Sequence, residues 1–186
     1  MIAKISGVVT EIEGNSLIIE NNGIGFEILV THPEKYALGL KCFFYIFEQW
    51  KEDSVTLFGF AERSEKEFFE LMIRKVNGIG AKTALNILSK MRFDDLLNNI
   101  KKGNFTAFKS IPGIGEKTAK RIVLDLGGDI SSFESAGLSD KRSQVSEALE
   151  ALGFSRDGIY SVVKDLDESL PVEEMIREGI KKLAND

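Results

Sequence analysis

The chain has 186 residues, 43% of them apolar, with 24 Lys+Arg against 29 Asp+Glu and a net charge of −5. This composition excludes a generally disordered polymer and allows one domain or two to three small ones. The single cysteine, Cys42, excludes an intramolecular disulfide and fits a reducing cytosol. The opening MIAKISGVVTEIEG carries early acidic residues and no apolar run of leader length, and no stretch reaches the about 20 apolar residues of a membrane span. Neither a signal peptide nor a transmembrane helix is expected, and a cytoplasmic location is.

The first 60 residues read as β structure. AKISGVVTEI and NSLIIE alternate apolar and polar residues around the turn EGNS, and GFEILV follows a second turn signal, NNGI. KCFFYIFEQW and SVTLFGF are two further strand-like runs separated by KED. Five short strands in this space predict a small barrel, of the OB type or SH3-like.

From Ser64 the period changes to helical. SEKEFFELMIRKV places Phe68, Leu71, Met72 and Val76 on one face, and Ser64 with Glu67 fits a capping box. Then come NGIGAKTAL and its helix, the helix FDDLLNNIKKG with Gly103 as C-cap, the stretch NFTAFKSI, and PGIGEKTAK opening the helix EKTAKRIVLDL. GGDISSFESAGLSDKRS reads as a Gly/Ser-rich linker. QVSEALEALGF, SRDGIYSVVKDL and PVEEMIREGIKKLA are three short amphipathic helices, a bundle whose core is expected to take most of Leu149, Leu152, Phe154, Val162, Val163, Leu166 and Ile176.

Charge divides along the same lines. Residues 1–61 carry 4 Lys+Arg and 8 Asp+Glu, residues 62–126 carry 13 and 8, and residues 127–186 carry 7 and 13. The only basic segment therefore holds both glycine phrases, which repeat Gly-Ile-Gly-x-Lys-Thr-Ala with Gly78 and Gly113 35 residues apart. A local basic field is what steers a polyanion.

A Gly-x-Gly turn before a helix tolerates positive φ and leaves its amides unobstructed, and the helix N-terminus adds a partial positive charge. Gly78, Gly80, Lys82 and Thr83, and in the second copy Gly113, Gly115, Lys117 and Thr118, make two phosphate clamps. Lys120 and Arg121, further along the second helix, extend the basic surface to neighbouring phosphates. The phrases do not fit a nucleotide site. The P-loop pattern needs glycine where Ala81 and Glu116 stand, and the dinucleotide pattern needs a third glycine where Thr83 and Thr118 stand. Two equal clamps suit a repeating phosphate ladder such as duplex DNA, gripped without sequence readout. The competing structural reading is that the glycines merely let helices pack closely.

NGIGAKTAL and PGIGEKTAK resemble tandem helix-hairpin-helix motifs. Together with MIAKISGVV, KEDSVTLFGF and the order barrel, paired hairpins, linker, three helices, the chain resembles the RuvA family over its full length. The resemblance implies an N-terminal OB-fold barrel (1–62), a tandem helix-hairpin-helix DNA-binding domain (63–127), a flexible linker (128–142) and a three-helix motor-contacting domain (143–186). It implies a non-catalytic, cofactor-free and metal-free subunit that binds four-way Holliday junctions as a homotetramer, singly or as face-to-face pairs. The implied partners are the hexameric ATPase RuvB and the junction resolvase RuvC, with branch migration in recombination and DNA repair as the outcome. Glu52 and Asp53 fall on the turn that in this family forms an acidic pin at the crossover. Position 116 departs from the pattern, since relatives can carry a basic residue there. An enzyme such as a glycosylase or nuclease would need a catalytic Lys or Asp beside a hairpin or a metal cluster, neither of which is evident. The lone His32 sits beside Pro33 in a loop. A general duplex-binding repair protein without junction preference is the alternative. A single-strand-binding OB protein is disfavoured by the acidic barrel despite Phe43, Phe44, Tyr45, Phe47 and Trp50.

Overall fold

The computed structural model describes residues 1–130, 133, 140–167 and 170–184. It contains two compact units, Met1–Ile130 and Ser131–Asp186.

The first unit opens with five strands: β1 (Lys4–Glu13), β2 (Ser16–Asn21), β3 (Ile24–Val30), β4 (Lys41–Lys51) and β5 (Ser54–Phe60). They close in the order β1-β2-β3-β5-β4, with β4 returning to β1 and β3 lying parallel to β5. This is the OB-type closure, which resolves the choice between the two barrels in its favour. Alternation supplies the interior: Ile5, Val9, Leu17, Ile19, Ile28, Val30, Phe44 and Ile46 form one buried cluster. The β2–β3 turn uses Asn22 and Gly23 with φ of 50° and 81°, the positive values that a two-residue hairpin requires.

Helix α1 (Arg63–Lys75) docks on the barrel wall through aromatic rings. Phe69 lies 4.8 Å from Phe60 and 5.3 Å from both Phe58 and Phe47, centroid to centroid. Rings at such separations add attraction beyond their buried area. This seam ties the helical part to the barrel. The predicted Ser64–Glu67 capping box does not form. The helix starts two residues earlier, with Glu62 in place of Ser64 as N-cap, and docking buries Ser64 in the first turn. Glu67 instead accepts from Arg63 Nε at 2.7 Å.

Helices α2 (Ala81–Lys90), α3 (Phe93–Lys101) and α4 (Glu116–Leu126) follow. Gly103 ends α3 with φ 70°, as expected of a left-handed cap, and NFTAFKSI becomes a 3-10 helix over Phe105–Ser110. The repeat is visible in the burial. Val76 and Ile111, Ile79 and Ile114, Ala84 and Ala119, and Ile87 and Ile122 are buried pairs at the 35-residue offset. Within the predicted linker, Asp129 pairs with Lys75 at 2.7 Å, Ile130 is buried, and a helix begins at Asp140. Residues 131, 132 and 134–139 of that stretch lie outside the described residues.

The second unit holds α5 (Asp140–Ala151), α6 (Arg156–Val163) and α7 (Val172–Leu183). Its core is Val145, Leu149, Ile159, Val163, Leu166 and Met175, with Phe154 and Ile176 packed against it, and Val162 is buried as well. Of the seven candidate core residues Leu152 is the one that stays outside, at 59% exposure. The helix ends at Ala151 and the backbone reverses at Gly153 with φ 91°, which turns Leu152 outward and Phe154 inward. No helix among the described residues is long and apolar enough to cross a membrane.

Candidate nucleic-acid interface

The two glycine phrases fold alike. Gly78 and Gly113 take φ of 94° and 87°, conformations that only glycine adopts without strain. The amide of Ile79 then donates to the Val76 carbonyl at 3.1 Å, and that of Ile114 to the Ile111 carbonyl at 3.0 Å. Each isoleucine is drawn into the core at 5% exposure while the flanking glycines stay outside. Gly80 and Gly115 are the N-caps of α2 and α4, and their carbonyls accept from Ala84 and Ala119, both at 2.9 Å.

Gly80 and Gly115 are informative because neither backbone conformation nor packing asks for glycine there. Their φ values are −98° and −80°, open to any residue. A Cβ at either would meet no atom within 4 Å. The close-packing explanation of these glycines therefore fails. An absent side chain in open space instead lets something outside the chain approach the backbone. Neither N-cap has a side chain to satisfy the first-turn amides, which no intrahelical acceptor can reach. The two turns thus present paired, uncapped helix N-termini, a geometry suited to anions.

Lys82 and Lys117 stand exposed in the first turns and, among the described residues, have no ion-pair partner; Thr83 and Thr118 are half-buried beside them. Lys82 also borders a cleft of about 650 Å³ between α2 and the barrel loops at Gly14–Asn15 and His32–Glu34.

The other two predicted contacts are already engaged within the chain. Lys120 Nζ lies 2.8 Å from Glu116 Oε1 and 5.1 Å from the Phe105 ring centre. Arg121 Nη1 donates to the Asn77 carbonyl at 3.3 Å, and Asn86 Nδ2 donates to the Pro112 carbonyl at 3.0 Å. Asn86 and Arg121 are equivalent at the 35-residue offset, as are Asn77 and Pro112, so the helix after each hairpin braces the other hairpin's turn. Arg74 and Lys109, two residues before the buried Val76 and Ile111, are a further equivalent basic pair that the phrase alone did not reveal; extending the offset upstream finds them.

Glu116 opens α4 where α2 has the buried Ala81. Hydrogen bonds from Lys120 and then Lys109, at 3.1 Å, hold its carboxyl down to about 2. A depressed carboxyl favours the folded state above its ordinary pKa and loses that effect only as pH falls through about 2, so the Glu116 carboxylate stays ionised throughout the physiological range. Glu52 and Asp53 form the exposed two-residue turn after the last β4–β5 pair, Lys51 opposite Ser54. Among the described residues no group of three or more His, Cys, Asp or Glu is arranged to hold a metal, and His32 Nδ1 is 3.0 Å from Glu34.

An OB barrel bearing two pseudo-equivalent hairpins defines a tandem helix-hairpin-helix protein. Comparison with known families matches residues 1–59 to the RuvA N terminal domain, residues 69–127 to the SAM-like Helix-hairpin-helix tandem, and residues 140–184 to the RuvA, C-terminal domain. A protein of Nautilia profundicola is 36% identical over 186 residues, covering 100% of this chain and 99% of its own. One of Thermotoga maritima is 37% identical over 191 residues, covering 100% of both, and one of Campylobacter concisus is 36% identical over 186 residues, covering 98% of this chain and 100% of its own. All three are named Holliday junction branch migration complex subunit RuvA. The chain belongs to the RuvA family.

Proposed function

We propose that this chain binds four-way DNA junctions through its two hairpins, holds them open, and serves as the DNA-gripping subunit of a branch-migration complex. The observation that carries this reading is the pair of uncapped helix N-termini at Gly80 and Gly115, each bare of Cβ though neither φ nor packing requires it and each flanked by an exposed lysine. Backbone amides and a lysine grip phosphate without reading bases, which suits a junction that moves through any sequence. The names of its relatives supply the junction as the DNA form.

Four copies around the crossover put eight hairpins on the four arms, and a second tetramer can close the other face. The carboxylates of Glu52 and Asp53, at the tip of the β4–β5 turn, would sit at the crossover and repel phosphate there, helping to keep exchanging strands apart. The subunit performs no bond chemistry in this reading, and ATP hydrolysis belongs to a RuvB motor. The C-terminal bundle, with Leu152 on its surface, is the motor-contacting part, and the stretch before it tethers motor to junction at high effective concentration. RuvC would meet the same junction on a free face.

The test is a titration without nucleotide or metal of a four-way junction, linear duplex and single strand of shared sequence, at two salt concentrations. Tighter, salt-sensitive junction binding without cleavage is expected. Equal affinity for junction and duplex would reduce the protein to a general duplex clamp, and preference for single strand would move the site to the barrel.

A further inference from the structure

We propose that Glu116 is a built-in counter-ion that makes the two hairpins unequal, the first a standing phosphate clamp and the second one in which Lys109 and Lys120 must be released before they can grip. This rests on the reading of the hairpins as phosphate clamps and adds what regulates one of them.

The two halves match in backbone, buried pairs and bracing bonds, so their differences in charge stand out. In the first half the site holds Arg74 and Lys82, neither with an ion-pair partner among the described residues, and α2 has no acidic residue in its first turn. In the second half the corresponding Lys109 is drawn 3.1 Å from Glu116 Oε2, and Lys120 lies 2.8 Å from Oε1. One carboxylate thus holds two ammonium groups, beside the N-terminus that would receive the phosphate. Phe105 adds to the hold by placing its ring 5.1 Å under Lys120. Lys117 has no such partner among the described residues.

A phosphate entering this turn meets an anion already in place. Lys109 and Lys120 are already paired with Glu116 and displace fewer of the DNA's condensed counter-ions on binding, so the second hairpin contributes less to affinity and to its salt dependence than its number of basic residues would give. All three side chains are exposed enough to turn aside. An arm held firmly at one point and loosely at the other is suited to DNA that must advance through the complex, because the weaker grip is the one that lets go.

The experiment measures junction affinity of the full chain across a salt series for the unsubstituted protein, Glu116→Gln, and Glu13→Gln as a charge-matched control on the exposed end of β1. Glu116→Gln is expected to bind at least about threefold more tightly at low salt and to steepen the log–log salt slope by up to about 2, one for each lysine set free. Adding Lys109→Ala and Lys120→Ala to Glu116→Gln should abolish the gain. An unaltered slope in Glu116→Gln, or an equal gain in Glu13→Gln, overturns the inference while leaving the clamps intact. Absence of salt-dependent binding by the unsubstituted chain overturns the clamp reading itself, and this inference with it.

Discussion

Arg121 on α4 donates to the carbonyl of Asn77 at 3.3 Å, in the turn of the other hairpin. Asn86 on α2 returns the bond to Pro112 at 3.0 Å. The two hairpins are thereby fixed to one another at the turns that carry the uncapped amides, so the spacing between clamps is a property of the fold. DNA phosphates are regularly spaced, and a rigid pair of clamps avoids the entropy of ordering each separately.

Asn86 tests this bracing without touching charge. Asn86→Ala should cost at most about 1 kcal/mol of stability, since the bond is exposed. It should weaken junction binding while the salt slope stays unchanged. Thermal unfolding and a salt series on the same variant check both halves.

The two exposed lysines should each show the opposite signature. Lys82→Ala and Lys117→Ala should flatten the salt slope by about 0.9 for each lost contact. Lys82→Ala should have the larger effect on affinity, because no acidic residue stands in the first turn of α2. Equal slopes in all three proteins would mean that neither lysine meets phosphate.

The acidic turn bears on selectivity. Glu52→Gln with Asp53→Asn should raise affinity for linear duplex more than for the junction and so narrow the ratio between them. Measuring both dissociation constants at one salt concentration decides it, and a ratio unchanged by the double variant would leave these residues as an ordinary polar turn.

A pH effect on stability is expected from the barrel side of α1. Burial raises the carboxyl of Glu65 above its ordinary range, partly offset by Lys35. The native state therefore holds this proton more tightly than the unfolded chain, and Glu65 favours folding below its unfolded pKa and ceases to do so as pH rises through the folded one. Glu65→Gln should raise the unfolding midpoint at pH 7, with the gain vanishing as pH is lowered below the carboxylate range. Thermal scans at several pH values check the sign.

Most of the frame was legible because periodicity and glycine placement are local signals. The five strands, α2 and α4 fall where alternation and the repeated phrase put them, and Gly78 and Gly113 have the positive φ that the turn requires. The failures share one cause: spacing records where a residue stands on an element and not where its side chain goes. Leu152 has the apolar character of a core residue, but the turn at Gly153 sends it outward. Ser64 has the sequence context of a cap, but docking of α1 on the barrel buries it. The same limit hides contacts within the chain, for spacing did not show that Lys120 pairs with Glu116 or that Arg121 donates to Asn77. The bracing pair Asn86–Arg121 was within reach of the sequence, through the 35-residue offset applied beyond the phrase itself.

The most direct test of the central claim is junction binding by Gly80→Ala combined with Gly115→Ala, with Gly78→Ala as a contrast. Neither Gly80 nor Gly115 has a φ or a neighbour that opposes a methyl group, so the double variant should fold, losing only glycine's N-cap advantage over alanine, about 1 kcal/mol or less at each helix. Gly78→Ala, at φ 94°, should lose about 1–2 kcal/mol. The double variant should nevertheless bind the junction at least about tenfold more weakly, because its added methyl groups stand between phosphate and amides. Folding and binding both unchanged would contradict the claim and show that the paired turns do not hold the DNA backbone.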